Sequence, residues 1–363
     1  MPIPQLTIRD LRVRSVAVPM KRALGTSSTR LDRALLALFD LDTEEGVTGR
    51  AYAFGIGMST APLKGVAPDV LAAIKGQPAA PADLYARLEK RFRLFGLQGH
   101  VGIVHACVDV ACWDAVARAA GVPLVRLLGG TPRAIPAYNS NGLSLADPVK
   151  VADEAQELLD EGFSAIKLRL GYPTLEQDVA ATRAVRKRIP ASGILMSDYN
   201  QALMPAEAAR RGRALDGEGL AWIEEPVRHD DYEGCAHVAR EVATPIQIGE
   251  NFVGSRAMAA ALAARACDYA MPDLQRIGGV TGWLRAAALA DSVGIEMSSH
   301  LFPEVSAHLL AVTPTCHWLE YVDWAAPVLQ QPLQIKDGHA LIPDRPGNGL
   351  EWDESAVKRW QID

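Results

Sequence analysis

Three acidic residues recur at an even interval in the middle of the chain. Asp198, Glu224 and Glu250 each stand near the end of a short apolar run (ILMSDYN, AWIEEP and PIQIGEN), and 26 positions separate each from the next. One strand, one helix and their two loops take up roughly 25–40 residues in a barrel of alternating strands and helices. Because such barrels place their chemistry at the carboxyl ends of parallel strands, the interval predicts three consecutive units whose carboxylates converge on one point.

Ionisable residues continue this pattern on both sides of the three carboxylates. Lys167 and Arg169 lie two apart in AIKLRL, and since side chains alternate faces along a strand, both are expected to point into the barrel mouth. Downstream, Asp273, His300 and Glu320 end the apolar runs DYAMPD, IEMSSH and HWLE. The second to eighth strands are thus each predicted to end in an ionisable group.

The order of predicted elements changes near residue 131. Before it, RVRSVAVPM and ALLALFDLDTEEG read as an antiparallel hairpin with its turn at 44–46, followed by helical patterns. This order indicates a separate α+β domain over residues 1–130. From 131 to 324, eight strand patterns alternate with alanine-rich helical patterns, which favours a closed parallel barrel. The tail, 325–363, has no further such units and is expected to return to the first domain.

Composition limits the partners and the compartment. The formal charge of −6 argues against nucleic acid and anionic membranes, because both select for a basic surface. The five cysteines are scattered without metal-binding spacing, which fits reduced thiols in the cytoplasm. The sequence shows no signal peptide, and we expect no segment near the ~20 apolar residues that span a bilayer. We therefore predict a soluble cytoplasmic protein, and we also expect a homo-oligomer.

The longer motifs resemble those of one known family. The second part of the chain contains AIKLRLGYP, SDYNQ, WIEEP followed by HDDYEG, IGEN, AMPD and IGGVTGW, and then SSHLFPEVSAHLL and TPTCHWLE. In this length and order the motifs resemble the mandelate racemase subgroup of the enolase superfamily. The resemblance is close over the whole barrel and looser over residues 1–130.

The resemblance implies an α/β fold in which an N-terminal α+β domain caps a (β/α)7β TIM-like barrel. It also implies Mg2+ as cofactor and abstraction of the proton α to a carboxylate. By position in the motifs, Asp198, Glu224 and Glu250 correspond to the metal ligands. Asp273 and His300 correspond to the general acid/base dyad.

Two further site residues follow from the resemblance, and two positions depart from it. Glu320 corresponds to a hydrogen-bond partner of the substrate carboxylate, and Lys167 to the group that neutralises it. The second lysine of the family's Lys-x-Lys motif, which is a base, is replaced by Arg169. After the first barrel strand, AYNSNGL places Gly142 where a serine hydroxyl is expected.

Elementary chemistry explains why such a reaction needs these residue types. Removing a proton α to a carboxylate creates a dianion, and an all-carboxylate triad suits Mg2+ or Mn2+ as the stabilising cation. Lys167 and a protonated Glu320 would add to this stabilisation. His300 has an ordinary pKa near 6.5 and suits proton transfer, with Asp273 orienting its imidazole. Arg169 is a poor base because guanidinium resists deprotonation, so it is either an ion-pair partner or a stabiliser of charge.

Three functions fit this set of residues. We place a racemase or epimerase of a 2-hydroxy acid first, and an acid-sugar dehydratase with His300 as single acid/base second. A metal-dependent carboxylate-binding protein without catalysis is third. The substrate side chain is expected to meet residues 24–29 and 52–58, while Lys21 and Arg22 face either an acidic substrate or water. Glu225 has no comparable context and is interpreted as a loop residue or helix cap.

Overall fold

Two β-sheets organise the chain in the computed structural model, which describes residues 5–55 and 57–362. The strands are β1 (Ile8–Gly25), β2 (Arg30–Thr43), β3 (Thr48–Phe54), β4 (Ala134–Asn139), β5 (Ala165–Arg169), β6 (Ile194–Asp198), β7 (Leu220–Glu224), β8 (Ile246–Ile248), β9 (Tyr269–Ala270), β10 (Glu296–Met297), β11 (Leu319–Tyr321), β12 (Gln334–Lys336), β13 (His339–Leu341) and β14 (Gln361–Ile362). The helices are α1 (Ala61–Ile74), α2 (Pro81–Arg91), α3 (Gly99–Ala119), α4 (Leu124–Leu127), α5 (Pro148–Asp160), α6 (Leu175–Arg188), α7 (Pro205–Leu215), α8 (Tyr232–Glu241), α9 (Gly254–Ala263), α10 (Leu274–Ile277), α11 (Gly279–Val293), α12 (Pro303–Ala311) and α13 (Glu354–Trp360).

The N-terminal sheet is antiparallel and has the order β14-β1-β2-β3. The two sequence-predicted strands do pair, in β1 and β2. The predicted turn at 44–46 was wrong for that pair, because it joins β2 to the third strand β3. Gly46 there has a φ of 80°, a conformation that glycine adopts without steric cost. The connection between β1 and β2 lies instead at residues 26–29, over the barrel.

Helix α3 packs beneath this sheet and corrects the expectation about apolar segments. Its 21 residues are long and apolar enough to cross a membrane by length and composition alone. In the structure, however, 72% of the apolar 18-residue stretch of this helix is buried inside the protein. Its continuous apolar sequence is therefore explained by burial between the sheet and neighbouring helices, as in the core helix of a globular domain.

The second sheet closes into the predicted barrel. Strands β4 to β10 pair in chain order, each parallel to the next. The eighth strand, β11, pairs in parallel with β4, and a parallel bridge from Met297 of β10 to Cys316 holds the segment that leads into β11. Seven strand–helix units and a final strand confirm the (β/α)7β TIM-like fold. Its strands are apolar runs because the barrel interior covers one face and the helices cover the other.

Local signals in the sequence fix where the helices of the barrel begin. Asp147 accepts a hydrogen bond from the Val149 backbone at the start of α5. Thr174 and Gln177 form a reciprocal capping box at the start of α6. Such caps satisfy backbone N–H groups that the first helical turn leaves free, so the loops after β4 and β5 end at defined positions.

The C-terminal tail contacts both sheets. The hairpin of β12 and β13 pairs with β4 of the barrel, whereas β14 pairs with β1 of the N-terminal sheet. The Trp352 indole donates to the buried Asp40 carboxylate at 2.7 Å, which ties the tail to β2. The domain boundaries at 130 and 324 stay a prediction.

Ion pairs attach the N-terminal sheet to the barrel mouth. Arg22 lies 2.9 Å from Glu161 and 3.3 Å from Glu157 on the α5 side of the barrel, and Lys21 also contacts Glu161 at 2.5 Å. Lys21 and Arg22 therefore form ion pairs with Glu161 and Glu157, whereas an acidic substrate or water was expected from the sequence. They position the β1–β2 connection above the carboxyl ends of the barrel strands.

Candidate active site

A cavity of about 230 Å3 lies between the barrel mouth and the N-terminal sheet. As expected from the sequence, residues 24–29 contribute: β1 supplies Leu24 and the β1–β2 connection supplies Thr26, Ser28 and Thr29, while β3 supplies Phe54. Of the other expected segment, residues 52–58, Ile56 lies outside the described residues. The barrel supplies Lys167, Arg169, Asp198, Asn200, Gln201, Glu225, Glu250, Asn251, Arg276, His300, Leu301 and Glu320, with Leu31 and Trp324 completing the lining.

Three carboxylates converge at the floor of this cavity. Asp198 and Glu224 end strands β6 and β7, and Glu250 follows β8 by two residues. One oxygen from each lies within 4.8 Å of the others. The three evenly spaced carboxylates are therefore close in space, as predicted, because three successive strands end at the same edge of the sheet. An all-oxygen, anionic donor set of this size fits a hard divalent cation such as Mg2+.

Glu224 is the most deeply buried of the three ligand candidates. Burial and the nearby Asp198 and Glu320 carboxylates raise its pKa to about 8, although Lys167 acts in the opposite direction. The Trp222 indole donates to its second oxygen at 3.2 Å. A carboxylate with a raised pKa is one that gains from a bound cation, since the cation stabilises its ionised form.

The Lys167 ammonium lies among carboxylates rather than in open cavity. It is 2.6 Å from Glu224, 2.7 Å from Glu320 and 3.1 Å from Asp198. Burial alone would lower its pKa, but these anions raise the pKa well above its usual range. Lys167 is therefore a permanent cation at the floor of the cavity.

Glu320 corrects the expectation of a protonated carboxyl group. Burial opposes its ionisation, but the Lys167 ammonium and then His300 lower its pKa to about 2. The Leu301 backbone also donates to it at 2.9 Å. In the absence of substrate, Glu320 is thus ionised, because the neighbouring cation outweighs the cost of burial.

His300 and Asp273 form the predicted dyad. A parallel bridge joins the two residues, and His300 Nδ1 lies 2.7 Å from the Asp273 carboxylate. The second ring nitrogen, Nε2, lies 3.3 Å from Glu250 at the cavity. Burial would lower the pKa of His300, but Glu250, Glu320 and Asp273 raise it to about 9. A cation on Glu250 would weaken the largest of these attractions and return the pKa toward its ordinary range.

Asp273 has a second structural task that fixes its orientation. Its other carboxylate oxygen accepts from the backbone N–H groups of Gln275 and Arg276, at 2.9 and 3.0 Å, at the start of α10. Both oxygens are therefore engaged, one by the helix and one by the imidazole. This arrangement holds the imidazole of His300 with Nδ1 toward Asp273 and Nε2 toward the cavity.

Arg169 is bound to backbone oxygens and not to a metal ligand. It donates to the carbonyl oxygens of Gly142 at 2.7 Å and Ser140 at 3.2 Å, in the loop after β4. Among the described residues it has no carboxylate within 4.0 Å, so the ion-pair interpretation was wrong. Gly142 itself has a φ of 59°, and a Cβ there would lie 2.3 Å from Glu154. The serine expected at this position does not fit this loop.

The cavity lining also includes Glu225, Asn200, Gln201, Asn251 and Arg276, which were not identified from the sequence as site residues. Glu225 is buried and accepts from Asn251 at 2.9 Å and Gln201 at 3.1 Å. Burial, followed by the nearby Glu250 and Asp198, raises its pKa well above the usual range. The acidic pair in IEEP was a visible signal, but alternation along a strand sends consecutive side chains to opposite faces. A φ of 39° at Glu225 breaks that alternation and turns it toward the site.

Strained backbone is concentrated around the cavity. Non-glycine residues with positive φ follow four of the barrel strands: Leu143, Asn200, Gln201, Glu225, Leu301 and Phe302. Such conformations cost of the order of 1–3 kcal/mol each and persist where surrounding structure enforces them. Their clustering at the carboxyl ends of the strands is typical of a site with fixed side-chain positions.

Family comparisons match both parts of the chain. Residues 8–129 match the family described as mandelate racemase / muconate lactonizing enzyme, N-terminal domain, and residues 150–356 match the enolase C-terminal domain-like family. A magnesium-bound enolase from an alpha proteobacterium, BAL199, superposes with a TM-score of 0.95 at 45% identity, over 98% of this chain and 100% of that one. An enolase from Bradyrhizobium with magnesium and mandelic acid gives 0.94 at 41% identity, over 99% and 100%.

Curated relatives include both lyases and isomerases. The L-talarate/galactarate dehydratase of Salmonella typhimurium is 35% identical over 254 residues, which span 70% of this chain and 64% of that enzyme. Other relatives are named as dehydratases of arabinonate, gluconate and xylonate, as cycloisomerases and as epimerases or racemases. These matches, the magnesium-bound structures and the carboxylate triad agree with the resemblance seen in the motifs. The chain belongs to the mandelate racemase / muconate lactonizing enzyme family of the enolase superfamily, and it is a magnesium-dependent isomerase or lyase.

Proposed function

We propose that the chain is a dehydratase of a sugar monocarboxylate and uses His300 as its single acid/base. In this proposal Asp198, Glu224 and Glu250 hold Mg2+, and Asp273 orients His300. Lys167 pairs with the substrate carboxylate, whose negative charge favours protonation of Glu320, so that Glu320 can donate a hydrogen bond to it. The observation that carries it is the contact of Arg169 with the carbonyl oxygens of Gly142 and Ser140. This order reverses the one favoured from the sequence, where a racemase came first.

Arg169 supports the proposal because racemisation ordinarily needs a base on each face of the substrate. A guanidinium that is already donating to two carbonyl oxygens gains nothing from losing a proton, and its intrinsic pKa lies far above neutrality. Lys167 cannot replace it, since three surrounding carboxylates keep it charged. His300 then remains as the proposed base, since Asp273 holds its Nδ1 and its Nε2 faces the cavity.

The proposed reaction uses that one group twice. Bound Mg2+ supplies positive charge that stabilises the second negative charge on the substrate carboxylate. His300 Nε2 takes the proton from C2, and the C2–H electrons form the C1–C2 double bond of an enediolate. The C1–C2 π electrons then form a C2–C3 double bond while the C3–O bond breaks, and the departing oxygen takes the proton from His300 and leaves as water. The resulting enol becomes a 2-keto-3-deoxy acid, so atoms and charge balance without any further reactant.

The remaining cavity lining supports a substrate with one carboxylate and several hydroxyl groups. Thr26, Ser28 and Thr29 bring hydroxyl groups from the β1–β2 connection. The other cation in the lining, Arg276, already donates at 2.9 Å to both the Glu250 carbonyl and the Asn251 side chain. Arg276 also lies 3.6 Å from the Glu250 carboxylate, which partly balances its charge and favours a sugar monocarboxylate over a dicarboxylate.

Incubation of the magnesium-loaded enzyme with a panel of sugar monocarboxylates in D2O tests the proposal. We expect a 2-keto-3-deoxy acid from at least one member, detected by NMR. Deuterium should enter recovered substrate at C2 only with retention of configuration, because one group both removes and returns the proton. The variant His300→Asn, which keeps a polar side chain of similar size, should show neither product nor exchange.

A racemase or epimerase of a 2-hydroxy acid is the second candidate. Its support is the Bradyrhizobium structure with mandelic acid, a compound without a 3-hydroxyl group, together with the apolar part of the lining, Leu24, Leu31, Phe54 and Trp324. The same D2O experiment with mandelate separates the two. Rapid exchange with inversion by the unmodified enzyme would overturn the one-base proposal.

A further inference from the structure

Gln247 is a polar residue in the middle of the short apolar strand β8. It is fully buried, and the strand register pairs it with Glu224 on the neighbouring strand β7. Burial of an amide costs free energy of folding unless new hydrogen bonds replace those that it made with water. The partners of the Gln247 side chain therefore indicate why the barrel holds an amide at this position.

The amide of Gln247 is oriented by Glu224. Its Nε2 atom donates to Glu224 Oε2 at 3.4 Å and contacts the Met271 sulfur at 3.2 Å. Its Oε1 atom is buried and has no hydrogen-bond partner among the described residues. The reversed amide would place Oε1, an acceptor, against a carboxylate, so the donor end has to face Glu224. One buried oxygen thus stays unpaired while the amide donor is kept on Glu224.

The indole of Trp222 donates to the same carboxylate oxygen. Trp222 precedes Glu224 by two residues on β7, so alternation along the strand directs both side chains to the same face. Its Nε1 atom lies 3.2 Å from Glu224 Oε2, and this N–H is the one donor that an indole has. Two neutral donors from adjacent strands therefore meet at one oxygen of Glu224.

Neighbouring rings fix the direction of this indole. The Trp222 ring packs edge-on against Tyr138 and Tyr269, with centroids 5.5 and 6.4 Å away and interplanar angles of 78° and 74°. His317 lies 5.6 Å from it. Edge-to-face packing is a favourable arrangement of aromatic rings. Because Trp222 is also fully buried, its N–H is held toward Glu224.

Both donors are uncharged, unlike the third group that contacts this carboxylate. The Lys167 ammonium lies 2.6 Å from the other oxygen, Glu224 Oε1. A lysine offsets part of the negative charge that attracts a divalent cation, whereas an indole and an amide carry no charge that would offset it. Together the three groups engage both oxygens of Glu224 and restrict rotation of its carboxylate.

We propose that Trp222 and Gln247 are positioning residues for the metal site, which hold the Glu224 carboxylate in the orientation that binds Mg2+. The inference rests on the proposed role of Glu224 as a Mg2+ ligand. Hydrogen bonds to a ligand carboxylate orient it for the metal, and loss of such a partner typically weakens metal affinity by about 10–100-fold. Neither residue belongs to the lining of the active-site cavity, so both act through Glu224 and not on the substrate.

Calorimetric titration of the metal-stripped chain with Mg2+ tests both residues. Trp222→Phe keeps an aromatic ring but removes the N–H, and Gln247→Met keeps an unbranched side chain but removes the amide. Each variant should bind Mg2+ about 10–100-fold more weakly than the wild type. The two variants are independent, so if one does not fold the other remains the test. Wild-type affinity in a folded variant would overturn the assignment of that residue.

Trp283→Phe is the matched control for the indole. The Trp283 side chain on α11 is also fully buried and donates to Thr313 at 3.0 Å, and it does not belong to the cavity lining. Removal of this N–H should leave Mg2+ affinity unchanged. Equal losses of affinity in Trp222→Phe and Trp283→Phe would mean a general loosening of the core and would overturn the proposal.

A spectroscopic signature separates positioning of the ligand from general stability. The chain has seven tryptophans, and 19F NMR after labelling with 5-fluorotryptophan identifies Trp222 by the signal that is missing in Trp222→Phe. Addition of Mg2+ should shift this signal, because the acceptor of the Trp222 N–H becomes a metal ligand, while the Trp283 signal should stay in place. An unmoved Trp222 signal at saturating Mg2+ would contradict the proposal.

Glu224→Gln distinguishes this inference from the proposed function on which it rests. The variant should weaken Mg2+ binding by at least about 100-fold, since it removes an anionic ligand. Wild-type affinity in Glu224→Gln would overturn the ligand assignment and the positioning inference together. A large loss in Glu224→Gln, with wild-type affinity in both Trp222→Phe and Gln247→Met, would overturn the positioning inference alone.

Discussion

Arg169 donates a 2.7 Å hydrogen bond to the carbonyl oxygen of Gly142, which connects the end of β5 to the loop after β4. Ser140 accepts from the same guanidinium, so one side chain fixes a three-residue span of that loop. At the position where the motif resemblance implies a second basic lysine, Arg169 is a structural support of the cavity wall. Replacement of Arg169 should therefore lower the free energy of unfolding as well as change the turnover.

Arg169→Lys should lower the free energy of unfolding by about 1–3 kcal/mol, because the single lysine nitrogen cannot occupy the two positions from which Nη1 and Nη2 donate to the buried carbonyl oxygens. Urea unfolding measures this change. Arg183→Lys, at an exposed ion pair with Glu218, is the control and should change stability by less than about 0.5 kcal/mol. Unchanged stability of Arg169→Lys would show that the loop does not depend on the guanidinium.

Removal of the divalent cation should abolish activity, and added Mg2+ should restore it. Glu250→Gln should weaken Mg2+ affinity by at least about 100-fold, since it removes one of three anionic ligands. Titration calorimetry with Mg2+ measures the affinity. Glu218→Gln, a loss of one carboxylate away from the triad, should bind Mg2+ like the wild type. Full activity after exhaustive chelation would contradict the assignment of the triad.

The dyad predicts two losses of different origin. His300→Asn should reduce turnover by roughly 10²–10⁴-fold by removing the proton acceptor. Asp273→Asn should reduce it by up to about 10⁴-fold by releasing the imidazole orientation, while its remaining oxygen can still accept from Gln275 and Arg276. Circular dichroism and the thermal midpoint should stay near wild type in both. A His300→Asn variant with wild-type turnover would require a different base.

Lys167→Met separates substrate binding from metal binding. The change removes a cation that lies 2.6 Å from Glu224 and 3.1 Å from Asp198, so these carboxylates should bind Mg2+ at least as tightly as before. Activity should still fall by roughly 10³-fold or more, because the substrate carboxylate loses its counter-charge. A parallel loss of Mg2+ affinity would mean that Lys167 orders the triad instead.

Buried His308 makes the folded protein sensitive to acid. Burial, followed by Arg345, lowers its pKa to about 3, and Nδ1 accepts from the Val125 backbone at 3.2 Å, so the ring is neutral when folded. The unfolded chain takes up this proton near pH 6.5, so stability present above that pH is lost as the pH falls toward 3. The loss should be ~1.4 kcal/mol per pH unit, or about 2 kcal/mol at pH 5.

Urea unfolding of wild type and His308→Gln at pH 7 and pH 5 checks this value. Glutamine can still accept from Val125 but does not titrate, so the variant should lose about 2 kcal/mol less on acidification. His105, whose pKa is also lowered, remains in both proteins and cancels in the comparison. The same pH dependence in both proteins would show that His308 is not responsible.

The barrel and the clustering of the candidate site residues were predictable from the sequence because they follow local rules. Parallel strands buried on both faces read as apolar runs, and each ionisable residue at the end of a run falls at one edge of the sheet. The spacing of Asp198, Glu224 and Glu250 therefore predicted a cluster without any knowledge of distances. The same reasoning assigned the wrong partner to the turn at 44–46, since a turn shows where a strand ends but not which strand pairs with it.

Three-dimensional contacts decided what the sequence left open. Arg169 could have met a carboxylate or a carbonyl oxygen, and only the path of the loop at Gly142 determined which. Glu225 faces the site because its backbone has a positive φ, which residue type does not reveal. The ionised state of Glu320 depends on Lys167, which is distant in sequence and 2.7 Å away in space. Periodicity and residue type fix strands, helices and strand ends, whereas charge states and hydrogen-bond partners depend on distances that only the closed barrel sets.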